Sequence, residues 1–148
     1  MRKLTIAIGL IGAVLIPSAA GIQAYAQEGS IPVIVKNTST SYWRTLLAGA
    51  RQAGKDLGVE VPELGPQKDT DILGQISILE NAVTSNPLAV VIAASQAEAL
   101  GKPIDEAATK TKVIGVDSGA NTTAYTAFVG TNNVEGGRER LSCCARNE

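Results

Sequence analysis

The sequence contains no histidine, and its two cysteines, Cys143 and Cys144, are adjacent. The absence of histidine excludes a Ser-His-Asp triad, a Cys-His dyad and a histidine metal site. Neighbouring cysteines bridge each other only under strain, and these two lack the spacing of metal ligands. We therefore predict no structural disulfide within the fold, no metal site and no cofactor.

Aromatic residues make up only 3% of the 148 residues, whereas 45% are hydrophobic and 18% are charged. This composition is typical of a globular chain, and the length corresponds to one domain. The shortage of rings indicates helices packed closely on a sheet of aliphatic residues. The 13 basic and 14 acidic residues give a net charge of -1. Since no basic patch stands out, nucleic acid is not an expected partner.

The first 26 residues have the pattern of a cleavable secretory signal. Two basic residues precede residues 4–16, which form an uninterrupted run of apolar, glycine, alanine or threonine residues. Small residues, Ala24 and Ala26, occupy the two positions that a cut before Gln27 requires. The alternative is a membrane anchor, but a spanning helix needs about 20 apolar residues and this run is shorter. We predict export of a soluble chain that has no lipid anchor.

Strand and helix patterns alternate after this segment. Short apolar or β-branched runs predict five strands, at residues 31–36, 59–64, 88–93, 113–116 and 127–130. Helical spacing predicts three helices, at residues 42–57, 72–85 and 97–110. This alternation implies an α/β fold, with an open parallel sheet, helices on both faces and right-handed crossovers. Pro62 marks the second strand as edge-like, and Pro103 is expected to start or kink the third helix.

Two of the helices carry further signals. In the first, Leu46, Ala50, Ala53 and Leu57 recur at helical spacing and are expected to face the core, with the helix ending at Gly58. The second is expected to begin at the capping oxygens of Asp69, Thr70 or Asp71 and to carry Ile72, Ile76, Leu79 and Val83 on one face.

Ligands bind such sheets beyond the carboxyl ends of the strands. The first strand end, residues 37–43, has no glycine, so it lacks the pattern that admits a pyrophosphate. It carries Tyr42 and Trp43 instead, and a flat ring suits the C–H face of a sugar. Neighbouring helical residues point about 100° apart, so both rings cannot serve one face, and one of them could simply be core. Lys36 and Arg44 flank this loop and could meet a charged ligand, although solvation is the simpler interpretation.

Polar residues follow the other strands, and each has two interpretations. Ser95 and Gln96 follow the third strand, where Ser95 could instead cap the next helix. Asp117 follows the fourth strand; its carboxylate could accept two sugar hydroxyls or stabilise a turn. Asn132 and Asn133 follow the fifth strand and could present amides to a ligand or cap a helix.

Residues 31–138 resemble the type I periplasmic binding proteins for sugars, the ribose-binding group. The resemblance depends on the order and spacing of four segments. Residues 42–50 (YWRTLLAGA) resemble an aromatic pair that leads into the first helix. Residues 75–76 (QI) resemble an element of the second helix. Residues 113–117 (VIGVD) resemble the strand that ends in a ligand-facing Asp, and residues 130–138 (GTNNVEGGR) resemble the start of the second lobe.

The resemblance implies two α/β lobes that close over a small ligand without performing chemistry on it. It implies a periplasmic, monomeric protein that is not an enzyme and that delivers a sugar or polyol to the permease of an ABC importer in the inner membrane. Carried over position by position, the ligand contacts fall on Tyr42, Trp43, Gln96, Asp117, Asn132 and Asn133.

Two positions depart from the ribose-binding pattern. Ser118 stands where many members have Arg, and Gln96 stands where many have Asp. Another pentose, a hexose, a sugar alcohol or a furanone-like signal molecule is therefore as plausible as ribose. A sensory protein that docks on a chemoreceptor or kinase would use the same site and stays an alternative. An exported flavodoxin-like enzyme is disfavoured, because phosphate-binding glycines and a histidine base are missing.

Together with the signal pattern, the resemblance divides the chain into a signal (1–26), a first lobe (27–117), a hinge crossing with the start of a second lobe (118–138) and an atypical tail (139–148). The tail interrupts the expected apolar stripe, which predicts a truncation or frameshift; an ordinary terminal helix is the alternative. The first lobe is then expected to have an open sheet edge, an unpaired fifth strand and little spare stability. Weak or absent ligand binding is expected to follow.

Overall fold

The computed structural model describes residues 29 to 138, and the predicted signal and atypical tail lie outside the described residues. The elements in chain order are β1 (Val33–Ile34), α1 (Ser41–Leu57), β2 (Glu63–Leu64), α2 (Ile72–Thr84), β3 (Ala89–Ile92), α3 (Ala97–Ala108), β4 (Lys112–Val116) and β5 (Ala127–Val129). Residues 133 to 138 are also helical. Within residues 29 to 138, no helix is long and apolar enough to cross a membrane.

The five strands form one parallel sheet in the order β2-β1-β3-β4-β5, which confirms the predicted α/β class. The edge position of β2 agrees with Pro62, which cannot donate to a neighbouring strand. The prediction of an unpaired fifth strand is wrong, because β5 pairs with β4 from Ile114↔Ala127 to Val116↔Val129. The outer edge of β4 presents backbone groups that need partners, and β5 supplies them.

Alternating side chains of the strands place one core on each face of the sheet. Ile34, Val90 and Ile92 pack with α2 and α3 on one face. Val33 and Val35 pack with Trp43 and Leu47 of α1 on the other. The sheet is therefore covered by helices on both sides, as the continuous apolar run of the third strand predicts.

The apolar stripe predicted for α1 is partly wrong. Leu46 and Ala50 are half-buried and pack against the core as expected, but Ala53 is exposed and Leu57 is 69% exposed. The residues that α1 buries fully are Trp43, Leu47 and Gly54. Leu57 lies in the last turn, on the wall of an apolar groove of about 370 Å³, outside the packed core. The helix ends as predicted at Gly58, whose φ of 68° is left-handed and suits glycine.

The second helix begins at a side-chain cap. The Asp71 carboxylate accepts a 3.0 Å hydrogen bond from the backbone N–H of Gly74, one of the N–H groups that have no partner within the helix. Of the three predicted capping residues, Asp71 is therefore the one that caps α2, which explains why the helix starts at Ile72. The helix then buries Leu79 and Val83 as expected, together with Gln75 and Ala82.

Replacing Asp71 by Ala is expected to lower the free energy of unfolding by about 0.5–2 kcal/mol, because the Gly74 N–H loses its acceptor. Asp69, two residues earlier and exposed, is the matched control, and its replacement by Ala should change stability by less than about 0.5 kcal/mol. Urea denaturation followed by circular dichroism measures both. Equal losses in the two variants would contradict a specific capping role.

Candidate ligand-binding site

The candidate site lies at the carboxyl edge of the parallel sheet. The chain first adds β2 on one side of β1 and then crosses to add β3 on the other side. Parallel sheets form their ligand crevice at such a reversal, where the two adjoining connections diverge. The crevice is therefore expected between the carboxyl ends of β1 and β3, next to the turn that follows β4.

The closest link across this edge joins Tyr42 of α1 to Asp117 after β4. The Tyr42 phenol donates a 2.7 Å hydrogen bond to Oδ1 of Asp117, across 75 residues of sequence. Tyr42 is 58% exposed, so this pair faces solvent. Asp117 adopts a left-handed φ of 63°, which Asp tolerates better than most residues, and its N–H donates to the carbonyl of Val129. The turn and β5 thus hold the carboxylate opposite the phenol.

Trp43 and Lys36 lie next to this pair. Trp43 is 6% exposed and meets the Tyr42 ring edge-on, with 4.8 Å between the ring centroids. The Lys36 ammonium lies 5.9 Å from the Trp43 ring centroid and 3.8 Å from Oδ2 of Asp117. Because adjacent side chains of a helix diverge, Trp43 lies in the core and Tyr42 lies at the surface. The solvent-facing group therefore consists of the exposed Tyr42 ring and two half-buried charges, the Asp117 carboxylate and the Lys36 ammonium.

The Asp117 carboxylate raises the pKa of the Tyr42 phenol, chiefly by accepting its hydrogen bond, and partial burial and the negative charge add to this. The pKa of Tyr42 is higher in the folded chain than in the unfolded chain. The stabilisation by this bond is therefore complete below the unfolded pKa, about 10, and is lost as the pH rises through the folded value.

Replacing Asp117 by Asn is expected to move the pKa of Tyr42 down towards its ordinary value, because a neutral amide oxygen stabilises the protonated phenol less. The ring-carbon resonance of Tyr42, followed by NMR through alkaline pH, measures this change. Asp56→Asn is the control, since Asp56 bonds to Gln52 in α1 and not to a tyrosine. An unchanged titration in the Asp117 variant would show that the bond is absent in solution.

The other predicted site residues follow neighbouring strands at the same edge, and among residues 29 to 138 no hydrogen bond joins them to the Tyr42–Asp117 pair. Gln96 is exposed and caps α3, its Oε1 accepting the Ala99 N–H at 2.7 Å. The alternative of a Ser95 cap is wrong, because Ser95 precedes the cap position and its hydroxyl is buried without a partner among the described residues. Asn132 accepts the Glu135 N–H at 3.1 Å and so caps the helical residues from 133 onward, and Asn133 is exposed.

Two buried amides at this edge were not predicted. Asn37 is 5% exposed, and its Oδ1 accepts hydrogen bonds from the N–H groups of Ser39 and Thr40 and from the Ser39 hydroxyl. Gln75 is fully buried, and its amide bonds to the ends of β1 and β3. The available signal for Gln75 was a polar residue one turn before Leu79, on the apolar face of α2.

An open parallel α/β sheet with polar side chains beyond the carboxyl ends of its strands is typical of a lobe that binds a small ligand. Sequence comparison identifies the family. Residues 31–145 match the model of the periplasmic binding protein domain. The chain therefore belongs to the periplasmic binding protein domain family. Among proteins with curated descriptions, none matches it.

Solved structures of sugar transport proteins share the fold. A carbohydrate transporter solute binding protein from Agrobacterium radiobacter, solved with D-arabinose, is 58% identical with a TM-score of 0.73; the match covers 76% of this chain and 38% of that one. The periplasmic component of an ABC-type sugar transport system from Hahella chejuensis is 30% identical with a TM-score of 0.69; the match covers 73% of this chain and 40% of that one. A glucose-galactose binding protein from Geobacillus stearothermophilus is 27% identical with a TM-score of 0.66; the match covers 82% of this chain and 44% of that one. The matches thus span less than half the length of each of these proteins.

Proposed function

We propose that this chain is part of the solute-binding component of an ABC importer and that it binds an uncharged sugar without chemical conversion. The surface around Tyr42, Asp117 and Lys36 would form one wall of the sugar site. The observation that carries the proposal is the solvent-facing Tyr42–Asp117 pair at the sheet reversal. Sugar hydroxyls can donate to the carboxylate, and the phenol ring can cover an apolar patch of the sugar. Membership of the family supports a periplasmic location and delivery of the sugar to a permease, and both are part of the proposal.

The local charge favours a neutral ligand. The Asp117 carboxylate lies 3.8 Å from the Lys36 ammonium, so the two opposite charges compensate each other at the site. A phosphate or carboxylate on the ligand would meet Asp117 as a like charge, and a cation would meet Lys36 in the same way. A hydroxyl-rich solute can bond to both groups without either repulsion.

Similarity to the Agrobacterium radiobacter protein supports a pentose as the first ligand to test, because that protein was solved with D-arabinose and is 58% identical over the matched region. Gln96, Asn132 and Asn133 are proposed as additional contacts. Gln96 and Asn132 use their side-chain oxygens for helix caps. Their amide nitrogens are the groups we propose for sugar hydroxyls.

Titration of the isotope-labelled chain with D-arabinose tests the proposal by NMR. We expect saturable shifts of the backbone amides around Tyr42 and Asp117, while amides at the amino ends of the strands keep their positions. Because this wall is open to solvent, a bound sugar keeps much of its surface in water, and we expect a dissociation constant in the millimolar range.

Leucine and glycine betaine at the same concentrations are the control solutes, since neither offers sugar hydroxyls. Arabinose shifts that are absent at Tyr42 and Asp117, or that the control solutes reproduce, would overturn the proposed function. Calorimetric binding at micromolar or tighter affinity would contradict the open wall and would indicate a more enclosed site.

A further inference from the structure

The side chain of Gln75 is fully buried, and all its hydrogen-bonding groups are engaged at the site edge. Its amide nitrogen donates to the carbonyls of Val35, at 3.2 Å, and of Ala93, at 2.9 Å. Its carbonyl oxygen accepts the backbone N–H of Ser95 at 2.9 Å. An amide has two N–H donors and one carbonyl acceptor, so Gln75 satisfies three backbone groups at once.

These backbone groups lie where β1 and β3 separate. Val35 and Ala93 each directly follow the last residue of their strand, and Ala93 donates the final bond between the two strands to Ile34. Beyond this point the strands diverge into the crevice, and buried backbone groups there need another partner. The Gln75 amide supplies it from α2, so one side chain fixes the spacing of both strand ends.

The segment held by Gln75 is bonded directly to the turn that carries Asp117. Ala94, between Ala93 and Ser95, donates its N–H to the carbonyl of Ser118 at 3.1 Å. The Ser118 hydroxyl donates in return to the carbonyl of Ala94 at 3.2 Å. Ser118 directly follows Asp117, so hydrogen bonds and peptide links together connect Gln75 to the residue that carries the carboxylate opposite Tyr42.

We propose that Gln75 is a positioning residue of this site: it sets the separation of the β1 and β3 ends and, through Ala94 and Ser118, the placement of Asp117 opposite Tyr42. The ligand named in this inference rests on the proposed function, whereas the placement of Asp117 does not. An apolar side chain of equal length would fill the same space but would leave the Val35, Ala93 and Ser95 groups without partners.

The test compares Gln75→Met, Gln75→Glu and Leu79→Ala in the full chain at a temperature where all are folded. Leu79 is buried one turn further along α2 in the same core, but its aliphatic side chain forms no hydrogen bond to the strand ends, so its replacement destabilises the core and leaves those backbone bonds in place. We expect Gln75→Met to shift the sugar-free amide signals of Asp117 and Ser118 and to weaken arabinose binding about 10-fold or more. Leu79→Ala should bind within about twofold of the parent despite its lower stability.

Gln75→Glu is the rescue variant. Buried between two carbonyls, its carboxyl is expected to be protonated, and it then keeps the acceptor for Ser95 and donates to one carbonyl. Its Asp117 and Ser118 signals should lie between those of the parent and Gln75→Met. Changes confined to Val35, Ala93 and Ser95 in Gln75→Met would overturn the inference. If the parent chain shows no arabinose response, the proposed function fails, and the sugar-free spectra still decide the role of Gln75.

Discussion

Trp43→Ala is expected to lower the free energy of unfolding by about 3–5 kcal/mol, a large part of the roughly 5–15 kcal/mol typical of a domain. The indole is 6% exposed and packs between α1 and the sheet against Val33, Val35 and Leu47. Its removal leaves a cavity that the short strand β1 cannot close. Urea denaturation followed by circular dichroism measures the loss, because the chain has no other tryptophan to report by fluorescence.

Two variants separate packing from ligand contact. Trp43→Phe should recover most of the lost stability, because a smaller ring still fills part of the space. Tyr42→Ala, one position earlier and 58% exposed, should reduce stability far less and reduce sugar binding more. Similar stability losses for Tyr42→Ala and Trp43→Ala would show that the two rings do not divide these roles.

The arrangement of strands and helices could be predicted because hydrophobic periodicity is local. The run at residues 88–93 predicts a strand buried on both faces, and Val90 and Val91 do pack on opposite faces of the sheet. Pairing of the last strand could not be predicted in this way. Whether β5 joins β4 depends on how the turn after Asp117 directs the chain, and periodicity carries no information on a turn of that kind.

The site was predictable at the level of location and less so at the level of contacts. Parallel strands bring their carboxyl ends to one edge, so Tyr42 and Asp117 could be expected near each other. The caps at Gln96 and Asn132 involve groups only three residues apart, and a single sequence does not show whether such a polar residue serves a helix or a ligand. The role of Gln75 depends on three backbone groups from two distant segments and is visible only after folding.

The backbone conformation of Asp117 determines both the direction of the chain after β4 and the direction of the carboxylate. A left-handed φ of 63° ends β4 abruptly, so the next peptide turns back towards Ala94 while the carboxylate points to Tyr42. Most side chains are strained in this conformation, but glycine is not. Glycine is therefore the substitution that removes the carboxylate with the least disturbance of the turn.

Asp117→Gly is accordingly expected to weaken arabinose binding about 100-fold or more while the chain stays folded. Hydrogen bonds to a charged group contribute about 1.5–3 kcal/mol each, and two sugar hydroxyls would lose them together. In an NMR titration, the amides around Tyr42 should then show no saturation within the range that saturates the parent chain.

Asn86→Gly is the matched control for this result. Asn86 also has a left-handed φ, of 49°, and it precedes β3 at the opposite end of the sheet. Its replacement by glycine makes the same kind of backbone change without touching the site, so sugar binding should stay within about twofold of the parent. If Asp117→Gly also stayed within that range, the carboxylate would not contact the sugar. If both variants lost binding, the loss would come from backbone flexibility, and the assignment of Asp117 as a ligand contact would fail.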